Sequence, residues 1–221
     1  MSQPIADLPR PAAVIFDLDG TLVDTVETRI RAWLAVFDEE GIPAERPHVA
    51  ELIGADGLRL AREVAARAGI RLEPERAEAI DARSGAIFTD LNSEPRPQPG
   101  VDELLGRLDQ AGIPWAIATS SRRQQVVASV GALQLASEPL IVDGSHVAHA
   151  KPAPDLLLLA ARDLQADPEG CWYVGDSTWD MLAAVAAGMV PVGVTSGAVD
   201  APALVAAGAE AVVASIDELV I

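Results

Sequence analysis

The sequence predicts an α/β protein: a parallel sheet with helices on both faces, and a small all-helical unit inserted after the first strand. Three observations predict it. From residue 101 onward, short apolar runs alternate with helical patterns, the rhythm of strand–helix–strand crossovers. Half of the 221 residues are apolar but only 4% are aromatic, so the core must be built from Ala, Leu, Val and Ile, which suit helices packed on a sheet. Between the first strand and that alternating region the pattern stays helical, with no strand signal.

Each element follows from local pattern. Ala12 to Phe16 is an apolar run of strand length, broken by the glycine turn of Asp17-Leu-Asp-Gly-Thr. Asp24 and Glu27 have the spacing of a capping box, and Val26, Ile30, Trp33, Leu34 and Phe37 keep helical intervals, predicting a helix over Thr25 to Glu40 stopped by Gly41. Helices follow over Leu58 to Ala68, ended by Gly69, and over Pro74 to Leu91. Pro95, Pro97 and Pro99 stiffen Ser93 to Gly100, which reads as the link back to the main body. Beyond it the pattern predicts helices over Val101 to Ala111, Gln124 to Val130, Asp155 to Gln165 and Thr178 to Ala187. Strands are predicted over Trp115 to Thr119, Leu140 to Val142, Cys171 to Val174, Val190 to Val194 and Ala211 to Val213. The expected division is residues 1–24 and 97–221 for the sheet domain and 25–96 for the insertion.

A formal charge of −17 sets nucleic acid and anionic membrane surfaces aside as partners, because both would be repelled. A phosphate-bearing ligand would need a local cation. Cys171 is the only cysteine and has no internal disulfide partner, which fits a reducing compartment. Met1 to Pro11 contains no continuous apolar segment of the kind a secretory signal needs, and Met181 to Val194 is interrupted by Gly188 and Pro191. The expectation is a soluble cytoplasmic protein; the sequence leaves the oligomeric state open and is compatible with a monomer.

Four polar clusters fall immediately after predicted strands or before a helix: Asp17-Leu-Asp19-Gly20-Thr21, Thr119-Ser120-Ser121, Lys151-Pro-Ala-Pro-Asp155 and Gly175-Asp176-Ser177-Thr-Trp-Asp180. In a parallel sheet, sites gather at the carboxyl ends of strands, so these clusters share one edge. In this order they resemble the four motifs of the haloacid dehalogenase-like superfamily. The helical insertion resembles the small cap of its first subfamily, and the resemblance covers nearly the whole chain. It implies a Rossmann-like catalytic core and phosphate-ester hydrolysis through an aspartyl-phosphate on Asp17.

The residue types agree with that chemistry. Asp17, Asp19 and Asp176 at neighbouring strand ends would repel one another by several kcal/mol at an effective dielectric of ~20, and so need a cation. Oxygen-only ligation suits Mg²⁺, with Asp17, the carbonyl of Asp19 and Asp176 as expected ligands. Asp19 is the expected acid and base. The resemblance implies that Thr119, Ser120 and the Gly20 turn bind the phosphoryl group. Lys151, the only lysine beside 15 arginines, reads as a compact charge placed to neutralise Asp17 and phosphate together. Asp180, with Ser177 in the same cluster, is expected to support the site by orienting Lys151 or a metal-bound water.

Within the superfamily, Thr25 to Trp33 and the Lys-Pro-Ala-Pro-Asp segment are similar to β-phosphoglucomutases. Two departures oppose a mutase: Arg29 stands where those enzymes carry His, and Gly57 where they supply a phosphate-gripping Arg. A phosphatase for a small phosphorylated metabolite, of phosphoglycolate or sugar-phosphate type, is therefore the expected activity. Arg29, Gly57 and Arg59 are expected to select the substrate. A phospho-accepting receiver domain is the non-enzymatic alternative, opposed by the helical insertion and by Asp19. His48, His146 and His149 read as loop histidines without metal-binding spacing, Cys171 as a small buried apolar residue, and Trp33, Trp115 and Trp179 as packing residues.

Overall fold

Six strands form one parallel sheet: β1 (Ala13–Phe16), β2 (Trp115–Ala118), β3 (Leu140–Val142), β4 (Cys171–Gly175), β5 (Val190–Val194) and β6 (Ala211–Val213), in the order β3-β2-β1-β4-β5-β6. They belong to a computed structural model that describes residues 3–220. Met1 and Ser2, part of the N-terminal stretch considered above, and Ile221 lie outside it. The register places Phe16 beside Ile117 on one side and Val174 on the other. The chain adds strands first on one side of β1 and then on the other, so the carboxyl ends of β1 and β4 border a topological switch point.

The helices are α1 (Val26–Glu39), α2 (Arg46–Leu52), α3 (Gly57–Arg67), α4 (Pro74–Leu91), α5 (Val101–Ala111), α6 (Arg123–Ala132), α7 (Asp155–Asp163), α8 (Thr178–Ala187) and α9 (Ala201–Ala206). Strand alternation divides the core into two layers. Val14 and Phe16 pack with Leu104, Leu108 and Val126 on one face, while Ala13 and Ile15 meet Leu157, Ala160 and Ala184 on the other. Helices α1 to α4 close over a separate core that includes Ile30, Phe37, Val49, Leu60, Val64 and Ile80. No helix among the described residues is long and apolar enough to cross a membrane.

Three local expectations change. Asp24 and Glu27 form no capping box: α1 begins after Thr25, which makes no side-chain cap. The Thr25 hydroxyl is instead bonded to Asp19, 2.7 Å away. His48 sits in α2, not in a loop, because a short helix starts at Arg46 with Pro47 in its first turn. The sequence pattern does not predict helix α9, which is capped by Asp200, whose side chain accepts from the Ala203 amide.

Candidate active site

At the carboxyl end of β1, Asp17 is buried and its Oδ1 accepts a 2.6 Å hydrogen bond from Lys151 Nζ. The same ammonium donates to Asp180 Oδ1 at 2.6 Å and lies 3.3 Å from the Tyr173 hydroxyl. Lys151 is wholly buried, so the charge is tolerated only because carboxylates flank it. Burial pushes Asp17 up to about 7 against the pull of Lys151, with Asp180 and Asp19 adding to the rise. Lys151 is itself raised: burial opposes its charge, but Asp17 and Asp180 outweigh that. Both Asp180 oxygens are engaged. Its Oδ1 also lies 3.1 Å from the Tyr173 hydroxyl, whose one proton is shared with the Ala118 carbonyl at 3.0 Å, and its Oδ2 accepts from the Ser177 amide and hydroxyl in a capping box that starts α8.

Asp176 follows β4 and faces Asp17. Its Oδ1 accepts from Thr21 at 2.7 Å. Its Oδ2 lies in a cradle of two glycines: an added Cβ would come within 2.3 Å of it at Gly20 and 2.0 Å at Gly197. Gly20 also has φ +95°, so the turn after Asp19 requires glycine twice over. Burial raises Asp176 well above the ordinary carboxylate range, with Asp180 and Asp17 adding to it.

One oxygen each from Asp17, Asp176 and Asp180 can be chosen within 4.8 Å of one another. When Asp17, Asp19, Asp176 and Asp180 are all ionised, the buried cations beside them among the described residues are Lys151 and Arg29, and the two negative charges left over are what one divalent cation would balance. The oxygen donors fit such an ion. Asp180 is engaged through Oδ1 by Lys151 and through Oδ2 by Ser177, whereas Asp17 Oδ2 and Asp176 Oδ2 carry no hydrogen bond among the described residues.

The Asp19 side chain turns away from this cluster. Its Oδ1 accepts from Thr25, and its Oδ2 accepts from Arg29 Nη2 at 2.8 Å and Ser121 Oγ at 2.6 Å. Burial would raise Asp19, but Arg29, Ser121 and Thr25 together hold it below the usual carboxylate range. Arg29 also contacts Ser121 Oγ at 2.5 Å and Gln125 Oε1 at 3.3 Å, and its guanidinium lies 3.4 Å from the Phe88 ring centre. It therefore ties α1 to the loop after β2 and to α6.

These groups open into one shared pocket between the sheet edge and the helical insertion. Asp17, Asp19, Arg29, Gly57, Thr119, Ser120 and Lys151 all line it. Arg59 does not: it is half-exposed, pairs with Glu63 at 3.0 Å, and stands 5.5 Å over the Trp179 ring. Thr119 is buried at the end of β2, its hydroxyl accepting from the Ser121 amide, while Ser120 Oγ donates to the Gly54 carbonyl of the insertion. Trp179 does more than pack, since its indole N–H donates to the Glu51 carbonyl and joins α8 to α2. Cys171 is buried and pushed up to about 11 by that burial, an inert thiol. Sequence reasoning missed Thr25, Asp81, Gln125, Tyr173 and Gly197, and named Ser121 without assigning it to Asp19.

Fold and site define a parallel α/β protein with an acidic, cation-ready pocket at its switch point. The haloacid dehalogenase-like hydrolase family model matches residues 14–194, and the chain belongs to that family. It is 34% identical over 193 residues to hexitol phosphatase A of Escherichia coli (strain K12), spanning 86% of this chain and 85% of that one. It is equally 34% identical over 190 residues to phosphoglycolate phosphatase of Xanthomonas campestris pv. campestris (strain 8004), spanning 81% and 80%. Among solved structures it resembles a hydrolase from Pseudomonas syringae with TM-score 0.90 and 34% identity, over 94% of this chain and 95% of that one.

Proposed function

We propose that the protein is a Mg²⁺-dependent phosphatase that hydrolyses a small phosphorylated metabolite through an aspartyl-phosphate on Asp17, with helices α1 to α4 as the cap over the site. The observation that carries this reading is the Asp17–Lys151–Asp180 arrangement: Lys151 holds Oδ1 of Asp17, while Oδ2 has no hydrogen-bond donor among the described residues and stays available to attack. A carboxylate so held is aligned and partly neutralised without being consumed. Two related phosphatases of small phosphorylated metabolites support the same class of substrate.

Asp17 Oδ2 attacks phosphorus as the ester P–O bond breaks, giving phospho-Asp17 and an alkoxide. The alkoxide takes its proton from Asp19, which first takes one from solvent while Arg29 stays held by Ser121 and Gln125. Asp19, then ionised, takes a proton from water attacking the phospho-Asp17 phosphorus, and phosphate leaves. Thr119 and Lys151 line the pocket where the phosphoryl oxygens would sit. Asp17, Asp176 and the Asp19 carbonyl would hold Mg²⁺, which would supply charge neutralisation for the phosphoryl group.

The test is phosphate release from a panel of phosphorylated metabolites with Mg²⁺. Multiple turnover is expected on at least one, with a loss of roughly 10⁴-fold or more in Asp17→Asn. A variant retaining a tenth of the activity would refute the nucleophile, and isomerised product without free phosphate would refute hydrolysis.

A further inference from the structure

Accepting the phosphatase reading, we infer that Asp81 selects the substrate, favouring phosphate esters whose remote end is neutral and hydroxylated over those carrying a second anionic group there. Asp81 lies on α4 and lines the same pocket as Asp17. Its side chain is only 13% exposed, and its Oδ2 is fixed by Arg122 Nη2 at 2.7 Å. The other oxygen points across the pocket wall at Gly57, where an added Cβ would lie 1.9 Å from it. The bare backbone at Gly57 is therefore what admits the carboxylate. Where the sequence lacks a cation for a second phosphate, the structure supplies an acid.

Among the described residues, Arg29 and Lys151 are the only cationic side chains lining the pocket. Both are spoken for. Lys151 sits between Asp17 and Asp180, and Arg29 is bound by Asp19, Ser121 and Gln125 with its face against Phe88. Neither is free to neutralise a carboxylate or second phosphate on the substrate. Burial raises the Asp81 carboxyl above its ordinary value, while Arg122 and Arg29 oppose that rise and favour its charge; Arg122 is half-exposed, so water screens the pair without cancelling the charge on Asp81. A hydroxylated chain meets better partners: Asp81 Oδ1 as acceptor, the Ser84 hydroxyl, and the Gln125 amide, whose Nε2 lies 2.0 Å from the position a Cβ on Gly85 would take. Attraction for hydroxyls and repulsion of anions thus act in the same direction.

The experiment compares kcat/KM for glucitol 6-phosphate and 2-phosphoglycolate in wild type, Asp81→Asn and Arg122→Ala, with p-nitrophenyl phosphate as a reporter of the chemistry alone. Wild type should favour the hexitol ester by about tenfold or more, and Asp81→Asn should lower that ratio by about tenfold. Arg122→Ala keeps the carboxylate and should keep the preference, which separates charge in the pocket from loss of the ion pair. Wild-type preference for 2-phosphoglycolate, or an unmoved ratio in an active Asp81→Asn, would overturn the assignment to Asp81 while leaving the phosphatase reading intact. No phosphate release from these three esters or from any other member of the panel would overturn both.

Discussion

Lys151→Met removes the one positive charge between Asp17 and Asp180 while keeping most of the side-chain volume. The ammonium is wholly buried, with both carboxylates at 2.6 Å. Its loss leaves two buried carboxylates without their cation, and breaking a buried pair in this way costs about 3–5 kcal/mol. For a chain of this length each kcal/mol moves Tm by about 2–4 °C, so a fall of roughly 6–20 °C is expected in chelator. The loss also depends on pH. Asp17 already sits at about 7 with Lys151 beside it, and without the lysine it rises further. At pH ~5 the carboxyl is largely protonated and needs no partner; at pH ~8 the penalty is full. Thermal unfolding of wild type and variant at both values checks this. A Tm within ~2 °C of wild type at pH ~8, or a larger loss at pH ~5, would refute the account of Lys151 as the buried counter-charge.

Two further outcomes follow from the same geometry. Thr21→Val removes the 2.7 Å donor to Asp176 and should raise the Mg²⁺ concentration for half-maximal activity by about 10–100-fold, measured by metal titration; an unchanged value would reduce Thr21 to packing. In chelator, Asp17 should lower stability as pH rises from its ordinary value of 3.8 to about 7, because over that window the folded form binds more protons than the unfolded one. Asp19 has the opposite sign: its depressed carboxyl adds stability above the ordinary range, lost on acidification through its folded value. Mg²⁺ favours ionised Asp17 and should remove the neutral-pH loss, so coincident Tm–pH curves with and without Mg²⁺ would contradict the site's charge balance.

The parallel sheet, the helical stretch after β1, the strand-end residues Asp17, Thr119 and Asp176, and Lys151 ahead of α7 were legible because each rests on local pattern. A short apolar run ending in Asp-x-Asp-Gly carries both the strand and its loop, and a lone lysine among arginines marks itself. What was hidden depends on contacts across the chain. Ser121 reaches Asp19 over 102 positions, and Tyr173 reads as one more strand aromatic until its hydroxyl meets Asp180. Asp81 lies on a charged helical stretch and looks like ordinary solvated surface; only the bare backbone of Gly57 shows where it points. Arg59 is expected from the sequence to select the substrate, yet as the third residue of α3 it turns outward to Glu63. Helix α9 is six residues of alanine, proline, leucine and valine, too short for periodicity to register.

The central claim is that the phosphoryl group passes through Asp17. It is tested most directly by acid-quenching the enzyme during turnover with Mg²⁺, reducing any acyl phosphate with borohydride, and mapping the product by peptide mass spectrometry. The account predicts homoserine in place of Asp17, appearing in step with the first phosphate released, and absent from Asp17→Asn. Phosphate release with Asp17 unmodified, or reduction at any other carboxylate, would contradict it.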